Sequence, residues 1–134
     1  MYLLDTNICI YFMKNTYPQL TERILSSQPS DFLISTVTVF ELEYGAEKSN
    51  WGDKTRHKLA MFLSPFQLLP FTTDDAVIAG RLRGFLEKNG TPIGPYDIQI
   101  AAQGISRGVT LITHNTREFR RVPGLTLEDW IQFG

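Results

Sequence analysis

The chain has 134 residues, 43% of them hydrophobic, which is the usual size of one domain, here residues 1–134, with one buried core. Its 13 Lys and Arg residues nearly balance its 14 Asp and Glu residues, and the formal net charge of -1 excludes binding of nucleic acid by bulk positive charge. Any nucleic-acid site must therefore be a local patch.

The N-terminal segment, residues 1–14, is apolar, but Asp5 and Asn7 interrupt it and no basic stretch precedes them. It is also too short to span a bilayer, so the sequence predicts neither a signal peptide nor a membrane anchor. The single cysteine, Cys9, has no second thiol with which to form an intramolecular disulfide. This favours a reducing compartment, and we expect a cytoplasmic protein.

The first half of the chain alternates short apolar runs with helical patterns. Tyr2 to Leu4 predicts a buried strand that ends at Asp5 and leads into a helix from Ile8 to Lys14. Pro18 opens a second helical stretch to about Ser27, and Phe32 to Ile34 predicts a second strand. The next segments are a helix capped by Ser35 or Thr36 that carries Glu41, a loop or charged helix start from Lys48 to Arg56, and an apolar helical run from His57 to Leu63.

The second half continues the same alternation. Its most distinct element is a helix with apolar residues at helical spacing from Ala76 to Leu86, which ends at Asn89-Gly90. The other predicted elements are a strand from Gln67 to Phe71, a helix from Asp97 to Ser106 closed by Gly108, a strand from Val109 to Ile112, a short helix around Phe119 and a strand from Leu125 to Leu127. Strands that alternate with helices predict an α/β domain with a mainly parallel sheet.

Several polar residues follow predicted strands or begin predicted helices. Asp5 lies where the first strand ends, and Asp97 and the segment Thr113 to Asn115 lie at comparable junctions. In open parallel sheets ligands bind beyond the carboxyl ends of the strands, so these segments can deliver polar groups to one edge. A helix start also stabilises an ionised carboxylate.

Each of these carboxylates also has an ordinary structural interpretation. Asp5 and Asp97 are good helix caps, and from position alone capping is the more common role. Glu41 follows the apolar stretch Val37 to Phe40 and precedes Leu42, where a solvated side chain is less expected. Position alone therefore leaves capping and metal binding both open.

The residue types favour a hard metal over zinc. Carboxylate oxygens suit Mg²⁺ or Mn²⁺, whereas zinc usually takes His or Cys, and the chain has only His57, His114 and Cys9. We expect Cys9 to fill an apolar position, His57 to lie on a solvated helix face and His114 to be at most a substrate contact.

Five segments resemble a known family. In order they are LLDTN (Leu3 to Asn7), ISTVTVFELEYGAEKS (Ile34 to Ser49), PIGPYDIQIAA (Pro92 to Ala102), LITHNTREF (Leu111 to Phe119) and GLTLEDW (Gly124 to Trp130). Together they are similar to PIN-domain ribonucleases, and within these to VapC-type toxins of bacterial toxin–antitoxin pairs. The resemblance implies an α/β/α fold with helices on both faces of the sheet, and hydrolysis of RNA phosphodiester bonds with Mg²⁺ or Mn²⁺.

The resemblance also implies which residues form the site. Asp5, Glu41 and Asp97 match the three main acidic positions of the family, and are the expected catalytic residues and metal ligands. At the fourth position this chain carries Asn115, a further possible ligand, with Glu118 close behind. The expected supporting residues are Thr6, Thr113, Asn115 and Glu118.

Substrate phosphates need cations at the rim of such an acidic site. The candidates are Lys14, Lys48, Arg81, Arg83, Arg117 and Arg120. For each of them a solvated surface charge is the alternative interpretation.

The resemblance further implies partners. VapC-type proteins are toxic until an antitoxin inserts a segment into the acidic groove, so we expect a VapB-type antitoxin, and we also expect a homodimer. The segments IGPYDIQIAA, THNTREF and GLTLEDW are especially similar to a branch whose implied substrate is initiator transfer RNA, cut in the anticodon loop. Exposed loop nucleotides can enter a narrow groove, whereas a rigid A-form stem cannot.

Two other functions remain open at this point. Asp5, Ser35 or Thr36, and Asp74-Asp75 loosely imitate the motifs of a haloacid-dehalogenase-like phosphohydrolase, although Asn7 stands where that family has a second acid. The substitution of an acid by Asn115 also keeps open a catalytically silent PIN-like binding module.

Overall fold

The computed structural model describes residues 1–50 and 52–131. The strands are Tyr2–Leu4 (β1), Phe32–Ser35 (β2), Gln67–Leu69 (β3), Thr110–Ile112 (β4) and Leu127–Glu128 (β5). The helices are Thr6–Lys14 (α1), Pro18–Leu25 (α2), Thr36–Lys48 (α3), Gly52–Leu63 (α4), Thr73–Lys88 (α5), Pro95–Arg107 (α6) and Thr116–Phe119 (α7). Among the described residues, no helix has the length and apolar character needed to cross a membrane.

The five strands form one parallel sheet in the order β3-β2-β1-β4-β5. Tyr2 pairs with Phe32 on one side and with Thr110 on the other, so β1 lies in the centre. Since all strands run the same way, their carboxyl ends meet at one edge of the sheet. The predicted α/β class is confirmed.

Helices cover both faces of the sheet, as the resemblance implied. Successive residues of a strand point to opposite faces, and Leu3 and Leu4 accordingly belong to two separate buried clusters. The cluster around Leu3 is completed mainly by α5 and α6, and the cluster around Leu4 by α1, α2 and α4. Cys9 lies buried in the second cluster, as predicted.

The boundaries of some elements differ from the prediction. The third strand ends at Leu69 and not at Phe71, because Pro70 has no N–H and the Phe71 N–H donates to Thr36 Oγ1 at 3.1 Å. The fifth strand is Leu127–Glu128, later than predicted, because its pairing with β4 begins where the Leu111 N–H donates to the Thr126 carbonyl at 2.9 Å and Leu127 pairs with Leu111. The polar segment from residue 48 to 56 is the end of α3 and the start of α4, and residue 51 within it lies outside the described residues.

Candidate active site

Asp5 lies at the central position of the carboxyl edge, directly after β1. Its N–H donates to the Ile112 carbonyl at 3.1 Å, which extends the pairing of β1 with β4, and its side chain then turns into the start of α1. Oδ1 accepts a hydrogen bond from the Ile8 N–H at 2.8 Å, so Asp5 is the N-cap of α1. The residue is only 4% exposed, which is unusual for a carboxylate that merely caps a helix.

Glu41 reaches the same edge from α3, the helix that follows β2. Ser35 begins that helix as its N-cap, because Ser35 Oγ accepts from the Val37 N–H at 3.0 Å. Glu41 Oε1 accepts a hydrogen bond from Thr6 Oγ1 at 2.7 Å. Thr6 therefore links α1 to Glu41, and its supporting role in the site stays a prediction.

Asp97 comes from the first turn of α6. It is not the cap of this helix as the sequence suggested, because Gly94 is the N-cap and Pro95 occupies the first helical position. A Cβ atom at Gly94 would lie 3.3 Å from Asp97 Oδ2, so the backbone of residue 94 packs closely against this carboxylate. The Asp97 side chain is therefore free of a capping role.

The segment after β4 completes the edge. Thr113 is fully buried, and its hydroxyl accepts from the Asn115 N–H at 3.0 Å. A hydrogen bond from the Thr113 side chain also lowers the pKa of Asp5. The Asn115 side-chain amide donates to Glu118 Oε2 at 3.1 Å. Asn115 thus holds the Glu118 carboxylate of α7, whose charge acts on Asp97.

The electrostatics of the site link the carboxylates. The pKa of Asp5 is raised from 3.8 to about 6, mainly by burial and also by the nearby charges of Asp97 and Glu41, against hydrogen bonds that lower it. Burial likewise raises the pKa of Asp97 to about 6, with added contributions from Glu41 and Glu118. The ionisation of Asp5 and of Asp97 is therefore opposed both by burial and by the charges of neighbouring carboxylates.

No positive side chain compensates this charge in the part of the chain that the structure describes. None of Asp5, Glu41 and Asp97 forms an ion pair with a Lys, Arg or His there. In the conformation seen, no three His, Cys, Asp or Glu side chains among residues 1–50 and 52–131 converge closely enough to hold an ion. The site thus holds negative charge that no ion pair with a basic side chain offsets among the described residues.

The two histidines lie outside this cluster of carboxylates. His57 is exposed on α4, as expected for a solvated helix face. His114 is partly buried, and its Nδ1 lies 2.9 Å from Asp129 Oδ2.

The candidate cations differ in their surroundings. Arg117 is on α7 between Asn115 and Glu118, and is the candidate nearest to the site along the chain. Arg83 is paired with Glu87 at 3.0 Å, and Lys48 lies over the Tyr44 ring at 5.2 Å. Lys14, Arg81 and Arg120 are exposed on α1, on α5 and just after α7. Contact of any of these cations with RNA stays a prediction.

Asp75, one of the residues behind the phosphohydrolase alternative, has a structural role. It is fully buried and forms a capping box with Thr72 at the start of α5. Its Oδ2 also accepts from Gln103 Nε2 at 3.3 Å and lies 3.4 Å from Arg107 Nη2 on α6. These bonds tie α5 to α6 and leave Asp75 outside the carboxylate cluster, which weakens that alternative.

Sequence reasoning missed one residue next to the site. Thr38 is fully buried, and its Oγ1 lies 3.0 Å from Thr6 Oγ1. The available signal was its position three residues before Glu41, which places both on the same face of α3. Its partner Thr6 lies on another helix, and that contact cannot be read from the sequence.

Comparisons with known proteins find one matching family and several similar proteins and structures. The model of the PIN domain family matches residues 2–125. The tRNA(fMet)-specific endonuclease VapC of Salmonella typhimurium is 41% identical over 129 residues, which cover 96% of this chain and 97% of that protein. Ribonuclease VapC2 of Rickettsia felis is 37% identical over 132 residues, covering 97% and 98%. The DNA-bound VapBC structure from Salmonella typhimurium superposes with a TM-score of 0.90 at 40% identity, covering 96% of this chain and 97% of that one.

Proposed function

Since this chain belongs to the PIN-domain family and, within it, to the VapC ribonucleases, we propose that it is the toxin of a toxin–antitoxin pair and cleaves RNA at the carboxylates of the sheet edge. The observation that carries the site assignment is the charge of Asp5, Glu41 and Asp97, which no ion pair with a basic side chain offsets among the described residues. Burial, together with neighbouring carboxylate charge, raises the pKa of Asp5 and that of Asp97. Such an arrangement opposes folding and persists where function requires it.

The donor set fits Mg²⁺ or Mn²⁺. PIN-domain ribonucleases are metal-dependent as a class, and Asp5, Glu41 and Asp97 would supply the hard oxygen ligands that these ions prefer. Glu118, held by Asn115, adds a fourth carboxylate beside Asp97. When bound, the ion supplies Lewis acidity, lowering the pKa of a water and offsetting charge on the leaving oxygen.

The protein's own groups orient this site. The Ile8 N–H and the Thr113 side chain hold the Asp5 carboxylate, and Thr6 holds that of Glu41. Burial of Asp5 keeps bulk water from one side, so charges there interact more strongly than in solvent. The carboxylates act only on a phosphodiester group, which all RNA molecules share. The specificity for one RNA must therefore come from residues at the rim of the site.

For the substrate we propose initiator transfer RNA, cut in the anticodon loop. Support comes from the tRNA(fMet)-specific endonuclease VapC, which is 41% identical to this chain over nearly its whole length. A splayed loop can bring one phosphodiester into a narrow groove, whereas an A-form stem holds its phosphates rigidly. Arg117, next to Asn115 and Glu118, is the proposed first cation of the rim.

The proposed function is tested by mapping the RNA ends that the protein produces. Purified protein is stripped with EDTA, reloaded with Mg²⁺ or Mn²⁺ and incubated with total cellular RNA, whose new 5′ ends are then sequenced. We expect cuts in the initiator transfer RNA loop only after reloading. Cuts confined to messenger or ribosomal RNA would overturn the substrate and leave the nuclease, and intact RNA in every condition would favour the silent binding module.

An antitoxin and a second copy of this chain are the proposed protein partners. Exposed aromatic side chains flank the carboxylates: Phe40 precedes Glu41, Tyr96 precedes Asp97, and their ring centroids lie 5.4 Å apart. An exposed apolar surface of this kind favours a protein contact.

We propose the bacterial cytoplasm as the location.

We expect expression of the chain alone to arrest bacterial growth and co-expression with a VapB-type antitoxin to relieve the arrest. The inactive Asp97→Asn variant is the matched control, because it should still bind the antitoxin without arresting growth. Light scattering of the purified toxin should give twice the mass of one chain. Unimpaired growth with abundant active protein would contradict the toxin function, and a monomeric mass would contradict the dimer.

A further inference from the structure

The hydroxyl groups of Thr6 and Thr38, here called the hydroxyl pair, lie next to the Glu41 carboxylate. Thr6 Oγ1 is 2.7 Å from Glu41 Oε1 and 3.0 Å from Thr38 Oγ1. A carboxylate can only accept, and a hydroxyl has a single proton. The Thr6 proton therefore goes to Glu41, and the Thr38 hydroxyl must be the donor to Thr6.

The hydroxyl pair joins two helices at the sheet edge. Thr38 and Glu41 are three residues apart on α3, whereas Thr6 begins α1 directly after Asp5. Thr38 is fully buried, while Glu41 is partly exposed. The hydroxyl pair thus connects the protein interior to a carboxylate at the surface of the site.

The physical consequence is a fixed Glu41 side chain. A glutamate has three rotatable bonds and loses its freedom only where a partner of defined position holds it. Thr6 can serve as that partner if its own hydroxyl is held, and the buried Thr38 hydroxyl holds it from behind. Bonds in such a series also polarise and strengthen one another.

We propose that Thr38 is a positioning residue for Glu41 and acts through the hydroxyl of Thr6. The inference rests on the proposed function, because the orientation of Glu41 matters for cleavage only if Glu41 is a metal ligand. A purely structural role is the alternative: the Thr38 hydroxyl then only fills buried space, and an isosteric valine should serve as well.

The experiment compares Thr38→Val with Thr38→Ser. Loss of an outer partner of a metal ligand typically costs about 10-fold to 100-fold in affinity or activity. We expect Thr38→Val to raise the Mn²⁺ Kd and lower kcat by amounts in this range, while KM for RNA stays unchanged because Thr38 cannot touch substrate. Thr38→Ser keeps the hydroxyl and should remain close to the wild type.

Two further variants keep the test decisive. Thr21→Val removes a hydroxyl on α2 that donates to the Tyr17 carbonyl at 3.4 Å, and it should change neither Kd nor kcat. If Thr38→Val does not fold, Thr38→Ala replaces it and should show the same losses. Normal Mn²⁺ affinity and normal kcat in a folded Thr38→Val or Thr38→Ala variant would overturn the proposal.

Thermal unfolding of the metal-free protein separates this proposal from the proposed function. If the two hydroxyls bond, the fall in Tm of the Thr6→Val/Thr38→Val double variant is smaller than the sum of the two single falls. Additive falls in Tm would show that the two hydroxyls do not bond, and would overturn the proposal even if the wild type cleaves RNA. Non-additive falls in a protein that neither binds Mn²⁺ nor cleaves RNA would sustain the contact and refute the catalytic site.

Discussion

Asp97→Asn is expected to lower RNA cleavage by more than ~100-fold while the chain remains folded. The expected loss exceeds that of an outer partner of a metal ligand, because a proposed ligand itself loses its charge. Asn keeps the shape of the side chain, and Asp97 is not the cap of α6, so the helix start is undisturbed. Asp5→Asn and Glu41→Gln should behave alike, and gel-based cleavage assays on initiator transfer RNA measure the effect.

The chain offers matched controls for these variants. Asp74 lies in the first turn of α5, as Asp97 does in α6, but is exposed. Glu43 is exposed on α3, two residues after Glu41. Asp74→Asn and Glu43→Gln make the same chemical changes and should cleave normally. Near-normal cleavage by a folded Asp97→Asn variant would remove Asp97 from the catalytic set.

The second large effect is on stability and has the opposite sign. Asp5→Asn should stabilise the metal-free protein at pH 7.5, because burial and neighbouring carboxylates disfavour the Asp5 charge. The rise of its pKa from 3.8 to about 6 corresponds to about 2 to 3 kcal/mol in the free energy of unfolding. Asn can still accept the hydrogen bond from the Ile8 N–H, so the cap of α1 is kept.

The raised pKa of Asp5 also predicts how the stability of the metal-free protein depends on pH. Between pH 4 and 6 the folded protein keeps a proton on Asp5 that the unfolded chain has released, so wild-type stability should fall as pH rises through this window. Well below pH 4 both states are protonated, and well above pH 6 both have lost the proton, so the stability no longer changes with pH through Asp5. Asp5→Asn should flatten the fall, as measured by urea unfolding at fixed pH in EDTA. An unchanged slope, or a destabilised variant at pH 7.5, would contradict the raised pKa of Asp5.

Much of the fold could be predicted because local signals agreed with it. The apolar run before Asp5 and the prolines and glycines between elements located most strands and helices. The cap of α6 was misassigned because Gly94 and Asp97 are both acceptable at helix starts, and Pro95 decides between them. The fifth strand was shifted because its pairing with β4, which joins Leu111 to Leu127, sets where it begins, and the apolar pattern of the segment does not record that pairing.

The site was predictable only in part. The type and order of its acidic residues are in the sequence, and the parallel sheet explains why distant segments meet at one edge. The hydrogen bond between Asn115 and Glu118 shows how an amide position can still deliver a carboxylate. Thr38 was missed because its role depends on how closely α1 approaches α3, which no local pattern records.

The most direct test of the proposed site is anomalous diffraction from crystals soaked in Mn²⁺. We predict an anomalous peak at the carboxyl edge of the sheet, in contact with Asp5 and Asp97 and absent from crystals of Asp97→Asn. A peak bound only elsewhere, or no peak at the carboxylates of a soaked wild-type crystal, would contradict a metal-dependent ribonuclease built on these residues.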